Sequence, residues 1–392
     1  MDLSALRARD FLLRFEICAF CRRDAEAVEG FVAGHEAAMC NDCAAVLRDE
    51  LEVHRSERLR DRVRGLPSPA RIRAWLDQRV LGQGHAKRVL AVQVHNHYKR
   101  LAWRGMHGSE QAPGKTNLLL SGPPGSGKTH LLETLARCLD VPFGVVDATV
   151  LTPTGVQGAG VEGVLQPVLR DCDWDPACAA RGIVYIDEVD KLGGDDGDDR
   201  GRAVQQALLQ VLDGRRVSVP APGGRTVVVD TSELLFVAGG AFRGAAPVSS
   251  GEAGGRPLVD DAWLLGHGLI PEFIGRFPVH VPLRPLEQAE LCRLLSEAPD
   301  APLRQMRALL AMDDCDLEVT PGALDAIAAA ALRRGCGARG LRSEVEWLLL
   351  DALFEVPARP EVRQVLVDAD QGGVRVFLQG AARGRLSDAS AA

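Results

Sequence analysis

The chain has 392 residues, of which 46% are apolar and 25% charged, and its formal net charge is −7. This length and composition predict a globular protein of roughly two to four domains with ample apolar core. We expect neither a membrane span nor a secretory signal, because no long uncharged apolar run occurs and the N-terminal segment is rich in charges. Basic and acidic residues are interspersed, which argues against a nucleic-acid binder. The sequence therefore predicts a cytoplasmic protein.

Four cysteines near the N-terminus follow the pattern C-x2-C-x18-C-x2-C. They are Cys18, Cys21, Cys40 and Cys43. Two thiolate pairs at this spacing can close a tetrahedral Zn²⁺ site, and four protein ligands leave the metal no open position for chemistry. A pair of redox dithiols is the alternative interpretation. We expect zinc to stabilise a domain that is too small to bury a core of its own.

A linker and two helices are predicted next along the chain. The charge-dense helical stretch from Arg48 to Arg64 is followed by a break at Pro67. Ser68 with Pro69 after it is a helix start signal, since serine caps helices and proline fits their first position. Apolar spacing predicts a second helix from Gly84 to Trp103.

Residues 122–129 read GPPGSGKT, a complete G-x-x-x-x-G-K-[ST] loop between a predicted strand, Asn117 to Ser121, and a predicted helix, Thr129 to Leu139. The glycines let backbone N–H groups surround phosphates, the lysine adds a positive charge, and the threonine hydroxyl can ligate Mg²⁺. A glycine-rich turn at a helix start is the structural alternative. The expected nucleotide-contacting residues here are Gly122, Pro123, Pro124, Gly125, Ser126, Gly127, Lys128, Thr129 and His130.

Residues 182–192 read GIVYIDEVDKL, an apolar strand that ends in two adjacent carboxylates and resembles a Walker B motif. We expect Asp187 to join the Mg²⁺ shell and Glu188, free of the metal, to polarise the attacking water. A solvated turn that caps a helix is the alternative interpretation. Together with the P-loop, the motif predicts hydrolysis of ATP, or as a less favoured alternative GTP, at the γ-phosphate.

Strands and helices alternate from the P-loop onward, with strands predicted over residues 117–121, 143–147, 183–187 and 234–238. This alternation predicts an α/β fold with a parallel sheet and the nucleotide at the carboxyl ends of its strands. A hairpin is predicted over 216–229, and a mainly helical pattern follows residue 284, with one helix over 338–354. The predicted domains are a zinc-binding domain (1–55), a linker (56–67), a large ATPase domain (68–284), a small helical lid domain (285–380) and a disordered tail (381–392).

Several stretches, in this order along the chain, resemble the ClpX-type AAA+ protein unfoldases, which are ATP-binding subunits of Clp protease. They are LDQRVLGQGHAKRVLAVQVHNHYKRL from Leu76, GPPGSGKT, GIVYIDEVDKL, VQQALL from Val204, FVAGGAF from Phe236, GLIPEFIGRFPV from Gly268 and GARGLRSEVE from Gly337. The resemblance implies an AAA+ P-loop domain with a helical lid, a homohexameric ring, and ATP and Mg²⁺ as nucleotide and cofactor. It also implies a chaperone activity on protein substrates, with adaptors bound through the zinc domain.

The resemblance also assigns roles to individual residues. Val80 and Leu81 match the adenine-contacting pair, Arg276 in IGRF matches the arginine finger, and Arg339 in GAR matches the sensor-2 arginine. Arginine at either of the last two places can spread positive charge over the leaving γ-phosphate. In the family the finger serves the neighbouring subunit's nucleotide. Without these motifs, a lone arginine would be read as a surface salt bridge.

Three stretches depart from the family pattern. Gly155 to Gly158 carries Val156 where the pore loop of the unfoldases has an aromatic residue. The 25-residue segment from Arg243 to His267 is shorter than the family insertion and lacks the I-G-F tripeptide that docks on the ClpP peptidase. The hairpin from Gly223 to Asp230 lacks the basic R-K-H loop and keeps only Arg225. We therefore expect weak or no coupling to ClpP.

Three functions compete at this point. The first is an ATP-driven ring that pulls on protein chains, supported by the complete set of ATPase motifs. The second is a regulatory or scaffold ATPase derived from the same family that no longer threads chains, favoured by the altered pore elements. The third, a nucleic-acid motor with a zinc ribbon, is disfavoured by the acidic charge balance. We expect no nucleic-acid or membrane partner.

Overall fold

The computed structural model describes residues 17–33, 37–51, 65–107, 111–153, 159–193, 199–242, 261–298, 300–335, 337–370, 373–380 and 385–389. It divides into two compact units, one of residues 1–67 and 98–113 and the other of residues 68–97 and 114–392. No helix among the described residues is both long and apolar enough to cross a membrane. The finer domain boundaries predicted from the sequence stay predictions.

The first unit contains a short antiparallel ribbon next to the N-terminal cysteines. Strand β1 (Phe31–Ala33) pairs with β2 (Ala38–Cys40), and residues 41–51 are helical. The buried apolar side chains described between residues 17 and 51 are Cys18, Ala38 and Cys40. So few buried side chains cannot offset the conformational entropy lost when this segment becomes ordered. Its fold needs a further source of stability.

The second unit begins with the two predicted helices. Helix α1 (Pro69–Asp77) starts after Ser68, whose hydroxyl accepts a hydrogen bond from the Arg71 N–H, and has proline at its first position. Helix α2 (Gly84–His107) follows, and its residues from Tyr98 onward belong to the first unit. Both predictions are confirmed, although α2 extends beyond its predicted end at Trp103.

A parallel sheet of five strands forms the core of the large domain in this unit. Its strands are β3 (Leu118–Ser121), β4 (Phe143–Asp147), β7 (Ile183–Asp187), β10 (Leu235–Gly240) and β11 (Val279–Pro282). Their order in the sheet is β11-β3-β10-β7-β4. Strands β3 and β10 are buried along their whole length, which explains their continuous apolar sequences. The carboxyl ends of β3 and β7 lie at one edge of the sheet, with β10 between them. The predicted α/β fold is confirmed.

Helices and shorter strands connect these five strands. The helices are α3 (Lys128–Leu139), α4 (Gln166–Arg170), α5 (Pro176–Ala179), α6 (Asp199–Leu212), α7 (Asp261–Gly266) and α8 (Pro271–Ile274). Two pairs of short strands complete the set: β5 (Leu151–Thr152) with β6 (Ala159–Gly160), and β8 (Arg216–Pro220) with β9 (Thr226–Asp230). The second pair is the predicted hairpin. One apolar core joins sheet and helices through side chains such as Phe236, Leu208 and Phe273.

The C-terminal region has its own core of helices against a small sheet. Its elements are α9 (Gln288–Ser296), α10 (Pro302–Ala311), β12 (Asp316–Val319), α11 (Pro321–Arg333), α12 (Ala338–Leu348), α13 (Leu350–Glu355), β13 (Val362–Asp370), β14 (Gly373–Gly380) and β15 (Arg385–Ala389). Leu291, Ile327 and Val345 are among its buried residues. This separate core belongs to the C-terminal region that is predicted from the sequence to form the lid.

Two predictions for this region differ from the structure. The single helix predicted over residues 338–354 is broken at Leu349, where φ is −94° and ψ is 1°, so the backbone leaves the helical range between α12 and α13. Residues 385–389 pair with β14, although composition predicts a disordered tail. An edge strand can recruit such a segment through backbone hydrogen bonds, and the boundary of the tail at residue 381 stays a prediction.

Candidate functional site

The P-loop connects the carboxyl end of β3 to the first turn of α3. Gly125 and Gly127 have φ values of 75° and 91°, which residues with a Cβ rarely adopt. A Cβ on Gly127 would meet no heavy atom within 4 Å, so the space beside it is open. The Ser126 N–H donates to the Pro123 carbonyl at 3.2 Å. The loop thus turns tightly beside free space, as the binding of phosphates requires.

Lys128, the first residue of α3, directs its ammonium group back onto the P-loop. Its Nζ donates to the Gly122 carbonyl at 2.6 Å and to the Pro123 carbonyl at 3.2 Å. Burial lowers the pKa of Lys128, while Asp187 opposes this change and Arg339 reinforces it. A partly desolvated ammonium gains from a nearby anion, so Lys128 fits a triphosphate ligand.

The two carboxylate oxygens of Asp187, at the end of β7, have different partners. Oδ1 accepts hydrogen bonds from the Tyr185 hydroxyl and from the Glu188 N–H, both at 2.9 Å. Oδ2 faces the Thr129 hydroxyl at 3.5 Å. Burial raises the pKa of Tyr185 and the Asp187 charge raises it further, so the phenol remains a donor. Oδ2 is therefore the oxygen left to share a cation with Thr129, and an oxygen donor set of this kind suits Mg²⁺.

Glu188 has a left-handed backbone, with φ of 59° and ψ of 32°. This conformation costs about 1–2 kcal/mol in a residue with a Cβ. The carboxylate of Glu188 pairs with the Lys191 ammonium within the 3₁₀ turn Val189–Leu192. The two adjacent carboxylates thus have different surroundings, since Asp187 is held by a phenol and a backbone N–H whereas Glu188 pairs with an exposed lysine.

One cavity of about 880 Å³ brings these groups together. Its walls include Lys128, Asp187, Glu188 and Arg339. Arg339 reaches the cavity from the lid because the start of α12 lies against the P-loop, where the Ala338 N–H donates to the Gly125 carbonyl at 3.3 Å. The volume lies in the range of small-molecule and cofactor sites.

The predicted adenine-contacting pair, Val80 and Leu81, lies in the turn between α1 and α2. Val80 is buried and Leu81 is half-buried. Gln83 follows closely, and its Nε2 donates to the Ser126 carbonyl at 3.2 Å and to the Arg284 carbonyl at 2.8 Å. The pair is thereby anchored beside the P-loop, although neither residue is among those lining the 880 Å³ cavity.

Two more residues of the predicted site, Arg276 and His130, are also not among the residues that line the cavity. His130 is exposed in the first turn of α3. Arg276 follows α8, is 45% exposed and pairs with Asp213, directly after α6. Asn117 donates to the Arg276 carbonyl at 3.0 Å, which ties the backbone of this arginine to the start of β3. Within one chain, Arg276 is presented at the surface rather than to the cavity.

The four predicted metal ligands meet in the first unit. The Sγ atoms of Cys18, Cys21, Cys40 and Cys43 lie within 4.8 Å of one another, and those of Cys21 and Cys40 are 3.7 Å apart. Zn–S bonds of about 2.3 Å in a tetrahedron separate the sulfurs by about 3.8 Å, so the cluster has the size that zinc requires. Burial raises the pKa of Cys18, but backbone hydrogen bonds outweigh it and lower that pKa to about 6. Cys18 therefore favours the thiolate form that binds metal, whereas hydrogen bonding with Cys40 and Cys21 raises the pKa of Cys43 to about 12.

Three residues that the sequence patterns did not single out support these two sites. Arg23 donates from Nε to the Cys21 sulfur at 3.3 Å and pairs with Asp42 at 2.8 Å. Tyr185 orients the Walker B carboxylate, and Gln83 joins the P-loop to Arg284, the residue before the lid. An arginine beside the thiolate motif and a tyrosine within an apolar strand are weak signals, and nothing local marks the glutamine.

Two of the departures from the family pattern fall partly or wholly outside the described residues. They are the pore-loop stretch Gly155 to Gly158 and residues 243–260. The rest of the docking segment contains α7, where Leu264 is buried and Trp263 packs on Phe242 with ring centroids 5.4 Å apart. The turn of the β8–β9 hairpin presents glycines in left-handed conformations at positions 223 and 224.

Comparison with known proteins covers nearly the whole chain. A family model described as "AAA domain (Cdc48 subfamily)" matches residues 114–280, and one described as "C-terminal, D2-small domain, of ClpB protein" matches residues 289–366. The chain is 40% identical over 400 residues to the ATP-dependent Clp protease ATP-binding subunit ClpX 3 of Methylococcus capsulatus, with 90% of this chain and 91% of that protein covered. It is 37% identical over 399 residues to the ATP-dependent Clp protease ATP-binding subunit ClpX of Borrelia duttonii and to that of Borrelia recurrentis, with 93% of this chain and 92% of each covered. The chain belongs to the ClpX family of AAA+ ATPases.

Proposed function

We propose that this protein forms a homohexameric ring, hydrolyses ATP in the 880 Å³ cavity and uses that hydrolysis to unfold or remodel protein substrates in the cytoplasm. One observation carries the proposal: a P-loop lysine, a carboxylate suited to Mg²⁺, a second carboxylate and a lid arginine line the same cavity. The relatives' names, ATP-binding subunits of an ATP-dependent protease, support it.

Each group has a distinct role in the hydrolysis that we propose. Lys128 and the P-loop N–H groups bind the β- and γ-phosphates, while Thr129 and Oδ2 of Asp187 hold Mg²⁺. Bound there, Mg²⁺ would supply positive charge to the phosphate oxygens. Glu188 takes a proton from the attacking water as its oxygen bonds to the γ-phosphorus and the bond from phosphorus to the ADP oxygen breaks. Arg339 spreads positive charge over the transferred group.

Arg276 serves the ATP of the neighbouring subunit in this proposal. Its exposure, and its place outside the cavity walls of its own chain, support a role across a subunit boundary. Val80 and Leu81 contact the adenine ring, for which an apolar pair beside the P-loop, one residue buried and one half-buried, is suited. Hydrolysis then requires an assembled ring, since each site takes one arginine from another copy.

The four N-terminal cysteines hold one structural Zn²⁺ in this proposal, and their domain, residues 1–55, binds protein substrates or adaptors. The spacing of the sulfurs supports the metal. Exposed apolar side chains on the same unit, such as Phe20 and Val32, support a role in protein contacts. The remaining proposed boundaries are a linker over 56–67, an ATPase domain over 68–284 and a lid over 285–380.

Coupling to a ClpP-type peptidase is weak or absent in this proposal. The segment from Arg243 to His267 has no I-G-F tripeptide, and its largest apolar side chain, Trp263, packs on Phe242 instead of standing free as an anchor. A short docking loop needs an apolar anchor that a pocket of the partner can bury. The protein therefore acts alone on its substrates.

A regulatory or scaffold ATPase that does not thread chains is the second candidate. The sequence observation that favours it is Val156, because an aliphatic side chain offers a substrate less contact area than an aromatic one.

ATP-dependent unfolding of a tagged fluorescent protein, with and without a ClpP-type peptidase, tests these alternatives. Loss of fluorescence with ATP and without the peptidase supports the proposal. The Glu188→Gln variant is the control, and with it the fluorescence should not be lost. ATP hydrolysis without unfolding would favour the scaffold. Degradation of the fluorescent protein when the peptidase is added would show coupling to that peptidase and would contradict the expected independence from ClpP.

A further inference from the structure

Gln205 of α6 is fully buried, and its side-chain amide holds three backbone groups of two other segments. Nε2 donates to the Leu192 and Gly268 carbonyls, both at 3.1 Å, and Oε1 accepts from the Ile270 N–H at 2.8 Å. The arrangement uses both amide N–H groups and the oxygen of one side chain, which a carboxylate or a hydroxyl cannot reproduce. Gln205 thus joins the segment after the Walker B carboxylates to the segment that leads into α8.

The two joined segments touch each other at glycines. A Cβ on Gly193 would overlap the His267 carbonyl oxygen, and a Cβ on Gly268 would crowd the backbone of Gly193. Both glycines line the 880 Å³ cavity. Two backbone segments therefore contact each other directly in one wall of the cavity. Gln205 stabilises this contact, because its amide bonds to Leu192, next to Gly193, and to Gly268 itself.

Each segment also carries one of the groups assigned to hydrolysis. Leu192 ends the 3₁₀ turn that directly follows Glu188. Ile270 is the N-cap of α8, and Arg276 follows directly after that helix and Gly275. A single amide therefore links the carboxylate of a subunit's own cavity to the arginine that this subunit presents at its surface.

We propose that Gln205 is a positioning residue that couples Glu188 to Arg276 within each subunit. This inference rests on the proposed function, in which Arg276 acts on the neighbour's ATP. A change at the Glu188 turn during hydrolysis then moves the finger offered to the next site, because the shared hydrogen bonds prevent the two segments from shifting independently. Gln205 touches neither nucleotide nor water itself.

Four variants test the proposal. Gln205→Met keeps the length of the side chain and removes its hydrogen bonds, while Gln205→Glu puts a carboxylate against two carbonyl oxygens. The adjacent Gln206 is exposed, so Gln206→Met and Gln206→Glu are matched controls. A separate titration with a non-hydrolysable ATP analogue counts the sites that can bind nucleotide. The rate of ATP hydrolysis is divided by this number, which corrects for any chains that fail to fold.

We expect both Gln205 variants to lower turnover per occupied site about tenfold, with the analogue Kd changed by less than about twofold. Gln205→Glu should regain part of its turnover as the pH falls from about 8 to 6, because a protonated carboxyl again donates to one carbonyl. Gln205→Met and the two control variants should show no such recovery.

Mixed rings isolate the effect on the finger. In a mixture of Glu188→Gln and Arg276→Ala subunits, only the Arg276→Ala sites hydrolyse ATP, served by the fingers of the other subunits. Replacing the Glu188→Gln partner with a subunit that carries both Glu188→Gln and Gln205→Met should lower this activity. Equal activity in the two mixtures would overturn the coupling.

Two further results would also overturn the proposal. Turnover per occupied site that matches the wild type would leave Gln205 with a structural role only. Absence of ATP hydrolysis by the wild-type protein would overturn the proposed function and this inference together, and the wild-type assay distinguishes that case from failure of the inference alone.

Discussion

The contact between the lid and the P-loop predicts the effect of Gly337→Ala. Gly337 precedes α12 with φ of 54° and ψ of −140°, a conformation that strains any residue with a Cβ by about 1–3 kcal/mol. A Cβ there would lie 3.0 Å from the Gly125 carbonyl oxygen and 3.1 Å from that of Pro124. Both neighbours are backbone atoms of the P-loop, so we expect the start of α12 to move away from it.

The expected loss of ATP affinity follows from the contacts that this movement breaks. The hydrogen bond from the Ala338 N–H to the Gly125 carbonyl contributes about 0.5–1.5 kcal/mol. Arg339, the next residue, would retreat from the phosphates, and a hydrogen bond to a charged group contributes about 1.5–3 kcal/mol. Partial loss of both, about 1.4 kcal/mol or more, raises the Kd for ATP at least about tenfold.

Gly335→Ala is the matched control. Gly335 also has a positive φ, 68°, but a Cβ on it would meet no heavy atom within 4 Å. Both variants should therefore lower the melting temperature, and only Gly337→Ala should weaken nucleotide binding. Titration with a fluorescent ADP or ATP analogue measures the Kd. If Gly337→Ala binds as tightly as Gly335→Ala, the reasoning from the P-loop contact is wrong.

Four further predictions concern the two sites and the segment from Arg243 to His267. Protein purified under reducing conditions should contain one Zn²⁺ per chain, and deletion of residues 1–66 should remove the metal while ATPase activity remains; a metal-free full-length protein would contradict the first part. Tyr185→Phe should raise the Mg²⁺ concentration for half-maximal hydrolysis about threefold to tenfold, because Oδ1 of the Walker B aspartate loses a donor; an unchanged Mg²⁺ dependence would count against that role. Lys128→Ala should abolish nucleotide binding, whereas Glu188→Gln and Arg276→Ala should bind ATP without turnover and recover activity when mixed; no recovery would remove the support for action across subunits. Sedimentation with a non-hydrolysable ATP analogue should detect no stable complex with a ClpP-type peptidase, and a complex that survives dilution to micromolar concentration would falsify this expectation.

The sequence predicts the P-loop, the Walker B strand and the cysteine cluster well, because each depends on residues close together in the chain. Glycines at fixed offsets determine the backbone of the P-loop, and a fully apolar strand followed by two carboxylates occurs in few other settings. The cysteine spacing limits the geometry in the same way. The structure adds the residues that contact these motifs, whereas the motifs themselves are visible in the sequence.

Contacts between distant segments could not be predicted from local patterns. Gln205 bonds to residues up to 65 positions away, and Gln83 bonds to the backbone of Arg284 across 201 positions. No periodicity marks either glutamine, because its role depends on which backbone groups the fold leaves unpaired. The pairing of Arg276 with Asp213 is of the same kind, since the family motif predicts the arginine but not its partner within the chain.

At Glu188 the left-handed backbone lowers the stability of the fold, whereas the side chain that causes this strain is the one that we propose for hydrolysis. A glycine there would adopt the observed φ of 59° without the strain of about 1–2 kcal/mol that the Cβ imposes. Part of this gain in the free energy of unfolding would be lost, because glycine gives the unfolded chain more conformational freedom. It would also remove the carboxylate. Substitutions that make this protein more heat-stable can therefore arise at the residue that we propose activates water, and selection for thermal resistance alone would favour loss of this carboxylate.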